Sequence, residues 1–418
     1  MRVKTKNQGS FLLFCTVLGG VAGGVIWLFL KVMAVGTDFL WEWLPGQVSV
    51  PYYPVIVCTL GGIIIGLFRK KFGDYPEELD AVMGKVKKEK YYKYDNMLVM
   101  IIAALLPLLI GSSIGPEAGM TGIIVGLCYW VGDNLKFAKK YAGEYSEVGV
   151  AVTLGVLFHA PLFGVFEVVE SGEGDENIVL PKSSKILIYG ISLAAGTGVY
   201  FLLGRIFGQG MGSMPSFQLA GELTVGDYAM SIIYILAGCL LAWIFQFTHR
   251  GTNKIAAKIP QGIRETAGGL CLGISGMLIP VLMFSGEEAM GELPETFGMY
   301  IPLVWAAIGV LKILMTNVCI QSGLKGGHFF PLIFAGVSFG FGLAGMVFPA
   351  GGHDVFGAAI VTAALLGGTM GKPLAVTMLM FLCFPPQLCI WILMAAIISS
   401  KITGKIFNRN TESAMEGV

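Results

Sequence analysis

Apolar positions in this chain gather into long runs, at about residues 11–34, 54–69, 97–112, 119–136, 148–170, 184–207, 228–247, 266–284, 299–318, 328–348, 355–370, 372–384 and 388–401. Such runs predict helices in lipid, where a backbone must satisfy its own hydrogen bonds. Several are shorter than the roughly 20 residues that a straight crossing of a ~30 Å hydrocarbon core requires. Short apolar segments joined by Gly and Pro predict tilted, broken or re-entrant helices, tolerated only where interrupted backbone is buried in protein or faces water.

Composition points the same way. Of 418 residues, 55% are hydrophobic and 13% charged, and the mean hydropathy of +0.74 lies far above that of soluble domains. The expected fold class is an all-α integral membrane protein, a single transmembrane domain over residues 1–418. The first run is about twice as long as a signal-peptide core and has no clean small-residue cleavage site before Trp27, so it predicts a retained helix. A net charge of +1 says little, but Lys and Arg cluster at 2–6, 69–71, 85–93, 136–140, 250–264 and 401–409. The positive-inside tendency places these clusters, and both termini, on the cytoplasmic side of the cell membrane. Trp41, Trp43, Tyr91 and Tyr92 at segment ends fit interfacial anchors. Eight cysteines without CxxC spacing point to packing.

A shift of 212 positions aligns Gly111 with Gly323, Gly115 with Gly327, Ala151 with Ala363, Leu154 with Leu366, Gly155 with Gly367, Pro161 with Pro373 and Leu162 with Leu374. The chain therefore reads as two related halves, 11–207 and 228–402, followed by a short cytoplasmic tail, 403–418. Repeated halves in transporters bring discontinuous helices together near the membrane midplane. Here the aligned breaks are 111-GSSIGPEAG-119 and 323-GLKGGHFFP-331. Each predicts a loop that delivers a helix N-terminus into the membrane, with unpaired N–H groups and about half a positive charge. Facing each other, they would form an anion site from Gly115, Pro116, Glu117 and Ala118 on one side and Gly327, His328, Phe329 and Phe330 on the other. Dipoles hold chloride weakly enough to release it, which a full charge in low dielectric would not.

Glu117 falls in the first turn after Gly115-Pro116, so its carboxylate can fold onto the same amides and compete with an anion. Protonation or displacement would swing it away, which makes it a gate or a proton carrier; the bland alternative is a helix cap or a vestibule-lining acid. Glu167 and Glu170 share one helix face, either as acids at a wet helix end or as a proton relay. His159, His249 and His353 are isolated, no HExxH or Walker-type GxxxxGK[ST] occurs, and no cofactor, metal or nucleic-acid partner is expected.

Four stretches resemble the CLC chloride channel and transporter family. They are 115-GPEAG-119 (its GREGP), 322-SGLKGGHFFP-331 (its SGxxGGxFxP), 160-APLFGVFEVVE-170 (its APLAGxxFxxEE) and, more weakly, 73-GDYPEELDAVM-83 (its GSGIPE). The resemblance implies two inverted-topology halves with many tilted helices, and a homodimer with an anion pathway in each subunit. It also makes Glu117 the gating glutamate and places the amides of His328 and Phe329 at the central anion site. Departures touch the chemistry. Gly73, with Asp74 next to it, stands where the family has a serine hydroxyl, and Phe407 or Asn408 is nearest to its last-helix tyrosine. Pro116, Ala118 and Gly119 replace the Arg, Gly and Pro of GREGP, and Ser171 replaces the inner proton-transfer glutamate, with Glu170 matching the acid before it.

The expected function is transport of a small anion, chloride first, gated by Glu117 and passive or weakly proton-coupled, since Ser171 weakens the inner proton path. A proton-coupled antiporter using Glu117, Glu167, Glu170 and Ser171 is the alternative. A non-conducting membrane protein is a further one. No nucleophile with a base, paired-acid site or metal cluster supports an enzyme.

Overall fold

The computed structural model describes all residues except 1–4, 49, 78–80, 83, 86–91, 93, 95, 135–141, 172–181, 209–213, 350 and 416–418. The basic stretch 136–140, most of 85–93 and part of the 73–83 segment therefore lie outside the described residues. The first half holds α1 (Thr5–Asp38), α2 (Tyr53–Phe72), α3 (Met97–Leu109), α4 (Glu117–Asn134), α5 (Ala142–Leu157), α6 (Pro161–Ser171) and α7 (Lys182–Phe207). The second holds α8 (Val225–Ala256), α9 (Ile263–Leu278), α10 (Glu287–Thr296), α11 (Pro302–Ser322), α12 (Phe329–Val347), α13 (Asp354–Met370), α14 (Pro373–Cys383) and α15 (Cys389–Met415).

Most apolar runs became helices near their expected bounds. The run at 148–170 divides, because His159 adopts a left-handed φ of 51° and Pro161 then starts α6. α10 had no apolar signal, since its sequence EEAMGELPET is acidic. Residues 403–415, expected as a tail, continue the last helix.

Six stretches among the described residues are long and apolar enough to cross a membrane: Leu12–Gln47, Ile186–Phe207, Val225–Ala256, Pro302–Ser322, Phe329–Val347 and Pro386–Gly404. α3, α13 and α14 are apolar but shorter. At 1.5 Å per residue, α14 spans only ~16 Å. Such partial crossings must end inside protein, and the core accommodates them: α13 is buried without a break from Phe356 to Gly368.

The repeat is visible in the element boundaries. α4, α5 and α6 start at Glu117, Ala142 and Pro161, and α12, α13 and α14 start at Phe329, Asp354 and Pro373, each 212 residues later. Gly111 and Gly323 close the preceding helices with left-handed φ of 74° and 97°. Equivalent helices also touch, α2 against α9 and α6 against α14. An element that packs on its own counterpart lies on the axis relating the halves. The α2–α9 contact is close, and a β-carbon at Gly269 would come within 2.1 Å of the Cys58 carbonyl oxygen.

Gly269→Leu should therefore push α2 and α9 apart and cost about 1–3 kcal/mol, read as a lower unfolding temperature in detergent. Gly190→Ala, at a position where a β-carbon meets nothing within 4 Å, should leave that temperature unchanged.

Candidate functional site

The two Gly-rich breaks meet. Gly115 N donates to Gly327 O and Gly327 N donates to Gly115 O, both at 2.8 Å, in an isolated antiparallel bridge. Residues at the same place in the two halves thus exchange a pair of main-chain bonds, and α4 and α12 begin immediately beyond them on opposite strands of the bridge. Glycine leaves room for the carboxylate here: a β-carbon on Gly115 or Gly327 would lie 2.0 Å from an atom of the Glu117 carboxylate and would push it from its seat.

Glu117 is 1% exposed. Its Oε1 accepts a hydrogen bond of 2.7 Å from Phe329 N, the first amide of α12. The Phe330 amide and Glu117's own amide also turn toward the carboxylate. Oε2 is buried and has no hydrogen-bond partner among the described residues. The acid of one half therefore occupies the helix start of the other, 212 residues away. An amide at a helix N-terminus has no intrahelical acceptor, and an anion is its natural partner.

Apolar side chains wall off this contact. Phe158 stacks on Phe330 with ring centroids 4.3 Å apart and meets the edge of Phe163 at 5.2 Å. All three rings, together with Phe329, are buried. Pro116 O accepts from Met120 N, and Ala118 is buried in the same turn. His328 precedes α12 and sets its ring against Phe245 and Phe329, at 5.2 and 4.9 Å. Below the first turn of α4, the Tyr75 hydroxyl donates to Gly119 O at 3.0 Å.

Two backbone braces hold the breaks in place. Phe284 N donates to Gly111 O at 2.8 Å, tying the 280–284 turn to the first break. Lys312, fully buried on α11, donates to the carbonyls of Val281, Met283 and Phe284 at 3.0, 2.8 and 2.9 Å. Three acceptors match the three donors of an ammonium.

Gly73 and Asp74 do not join the buried cluster. Both are exposed, and Asp74 turns its carboxylate to Lys325, at 2.9 Å, and to Arg69. Arg69 is buried and pairs with Glu265 at 2.6 Å, and Glu265 Oε2 accepts from Gly262 N. The second break is thus not free of cations: Lys325 belongs to it and the Arg69 guanidinium packs on Gly323. Asp74 and Glu265 neutralise both. Burial alone would raise the Asp74 carboxyl, but Lys325 and Arg69 outweigh it and hold it below the ordinary carboxylate range.

The remaining acids lie along α6. Phe163 touches the site, whereas Glu170 comes seven residues later, ~10 Å along the helix. Glu170 accepts from Leu374 N and Ala375 N at 3.1 and 2.7 Å and so caps α14. Glu167, 2% exposed, pairs with Lys372, and Ser171 Oγ donates to Glu167 O at 2.7 Å. Side chains at 407 and 408 lie outside the described part. Sequence reading missed Phe158, Tyr75, Lys312 and the Arg69–Glu265 pair. Only a charged residue inside an apolar run, as Lys312 is, was a signal that could have been followed.

A family model described as Voltage gated chloride channel matches residues 61–405. YfeO of Escherichia fergusonii, provisionally named an ion-transport protein, is 25% identical over 341 residues, 77% of this chain and 76% of that one. YfeO of Salmonella paratyphi A is 25% identical over 368 residues, 84% of this chain and 83% of its own. Among solved structures, a CLC-type fluoride/proton antiporter superposes with a TM-score of 0.76 at 19% identity, over 96% of this chain and 97% of that one. A slow cyanobacterial Cl-/H+ antiporter gives 0.70 at 17% identity, over 95% and 94%. At these identities the two superpositions speak for the fold alone.

Glu265→Gln leaves Arg69 buried without its main counter-charge, and should destabilise the protein by about 3–5 kcal/mol, measured by denaturation in detergent. Asp74 has a lowered carboxyl in the folded state, so its stabilising effect is present above its ordinary value of 3.8 and is lost as pH falls through the folded value below that. The stability gap between wild type and Asp74→Asn should therefore close on acidification below pH 3.8.

Proposed function

The chain belongs to the voltage gated chloride channel family, and we propose that it carries a small anion, chloride first, along a path gated by Glu117. The family's members are transporters and channels of anions. What supports the gating role is one contact, the 2.7 Å hydrogen bond from Phe329 N to Glu117 Oε1. A carboxylate that holds the amides of a helix start is a covalently tethered anion, and a free anion can take the same amides only after it leaves. Protonation removes its charge and its hold; a competing anion displaces it. The phenylalanines around it keep water out and strengthen the electrostatic contrast between the two states.

Coupling to protons is read as weak. Glu170 is committed to the α14 amides and Glu167 to Lys372, while Ser171 carries no ionisable group. Proton-coupled exchange is the second reading, favoured by the burial of a titratable gate at 1% exposure. We take the functional unit to be a homodimer in the cell membrane with both termini cytoplasmic.

Glu117→Gln should abolish most of the pH dependence of anion flux in liposomes. It should also raise anion affinity by roughly ten- to a hundredfold, since a charge-assisted hydrogen bond of about 1.5–3 kcal/mol no longer competes. Flux and calorimetric affinity that match wild type at every pH would remove the gate from Glu117. Simultaneous proton recording separates the readings: steady proton movement driven by a chloride gradient means exchange.

A further inference from the structure

A second carboxylate lies beside the gate. α10 begins at Glu287, directly after Gly286, whose φ is 88° and whose backbone is so close to Phe334 that a β-carbon would lie 2.8 Å from the ring. Phe334 follows Phe330 by one turn of α12, and the Phe330 amide faces Glu117. The start of α10 is therefore held against the turn of α12 that follows the Phe330 amide. Glu287 is 8% exposed and has neither a hydrogen bond nor an ion pair among the described residues. It stands near enough to Glu117 for their charges to act on each other, and Glu117 keeps one buried oxygen, Oε2, without a partner.

We propose that Glu287 is the partner acid of Glu117, that the two carboxyls hold one proton between them, and that Glu287 passes this proton to and from the gate on the side where α10 lies. The inference rests on the reading of Glu117 as the gate. Two carboxylates with no cation set against either, in a largely dry interior, repel each other, and the pair is relieved by holding a proton. The groups facing Glu287 do not relieve the repulsion. Glu288 follows it in the chain, and Cys383 closes α14 nearby. α12 presents no titratable side chain, nor does the Met214–Leu219 segment beside α10. Lys312 on α11 is committed to the carbonyls of residues 281, 283 and 284.

The step balances simply. When the Glu117 carboxylate swings off the amides to meet Glu287, the O–H bond of Glu287 breaks as one forms on Glu117, and the negative charge moves from Glu117 to Glu287. Glu287 then takes a second proton from hydronium on its own side, leaving water, so the pair carries one proton while Glu117 holds the amides and two once it has left them. Glu117, now neutral, no longer competes for the Phe329 amide, and an anion enters.

The test is anion efflux from liposomes as a function of pH for wild type, Glu117→Gln, Glu287→Gln and the double variant. Removing a like charge weakens the proton affinity of Glu117, so the Glu287→Gln profile should move to acid by about one unit, a tenfold change. The double variant should match Glu117→Gln. A Glu287→Gln profile that overlays wild type, while Glu117→Gln alters flux, overturns the pairing and leaves the gate intact. If Glu117→Gln changes nothing, the gating reading itself fails. If Glu287→Gln is inactive, the double variant decides: flux restored to the Glu117→Gln level supports action through the gate, and inactivity there overturns the proposal in favour of a structural role.

Discussion

A main-chain N–H at the start of a helix, buried away from water, must find an acceptor, and the centre of this molecule contains two such starts held together. The Gly115–Gly327 bridge fixes their separation, and the Phe329 amide takes Glu117 as its acceptor. Around this contact stand packed aromatic rings and main-chain donors already oriented, the surroundings that the proposed weak, reversible anion site would need.

Symmetry explains why the acid at the bridge comes from one half alone. On an axis relating two halves, equivalent residues meet, so a carboxylate at position 117 and another at 329 would face each other unscreened. Phe329 avoids that conflict by offering its backbone while Glu117 offers its side chain. The glycines on the axis have no such freedom. For the carboxylate to keep its seat, both members of the pair must lack a β-carbon, because each would strike it.

Charges elsewhere are placed to spare the site. Lys312 is quenched by three carbonyls, and Arg69 with Lys325 by Glu265 and Asp74. These clusters brace the two breaks, one through the 280–284 turn and the other through Gly323 and the loop after α2. Rigid supports of this kind are what the proposed movement of Glu117 would need.

Much of this was legible in the order of residues. Apolar run length defined a membrane protein of short and long helices, Gly and Pro marked the two breaks, and a repeat spacing of 212 tied them together. The acid one residue after Pro116 could be placed at a helix start because capping depends only on near neighbours. Such signals are local or periodic, so they survive without knowing the fold. The wall of Phe158 and Phe163, the clasp of Lys312 and the turning of Asp74 away from the site toward Lys325 belong to tertiary structure alone. A motif match gives a residue its register but not the direction of its side chain, and the partners involved are separated by up to 251 positions along the chain. Glu287 was hidden for the same reason: an acidic, non-apolar stretch reads as a surface loop until packing against Phe334 carries it inside.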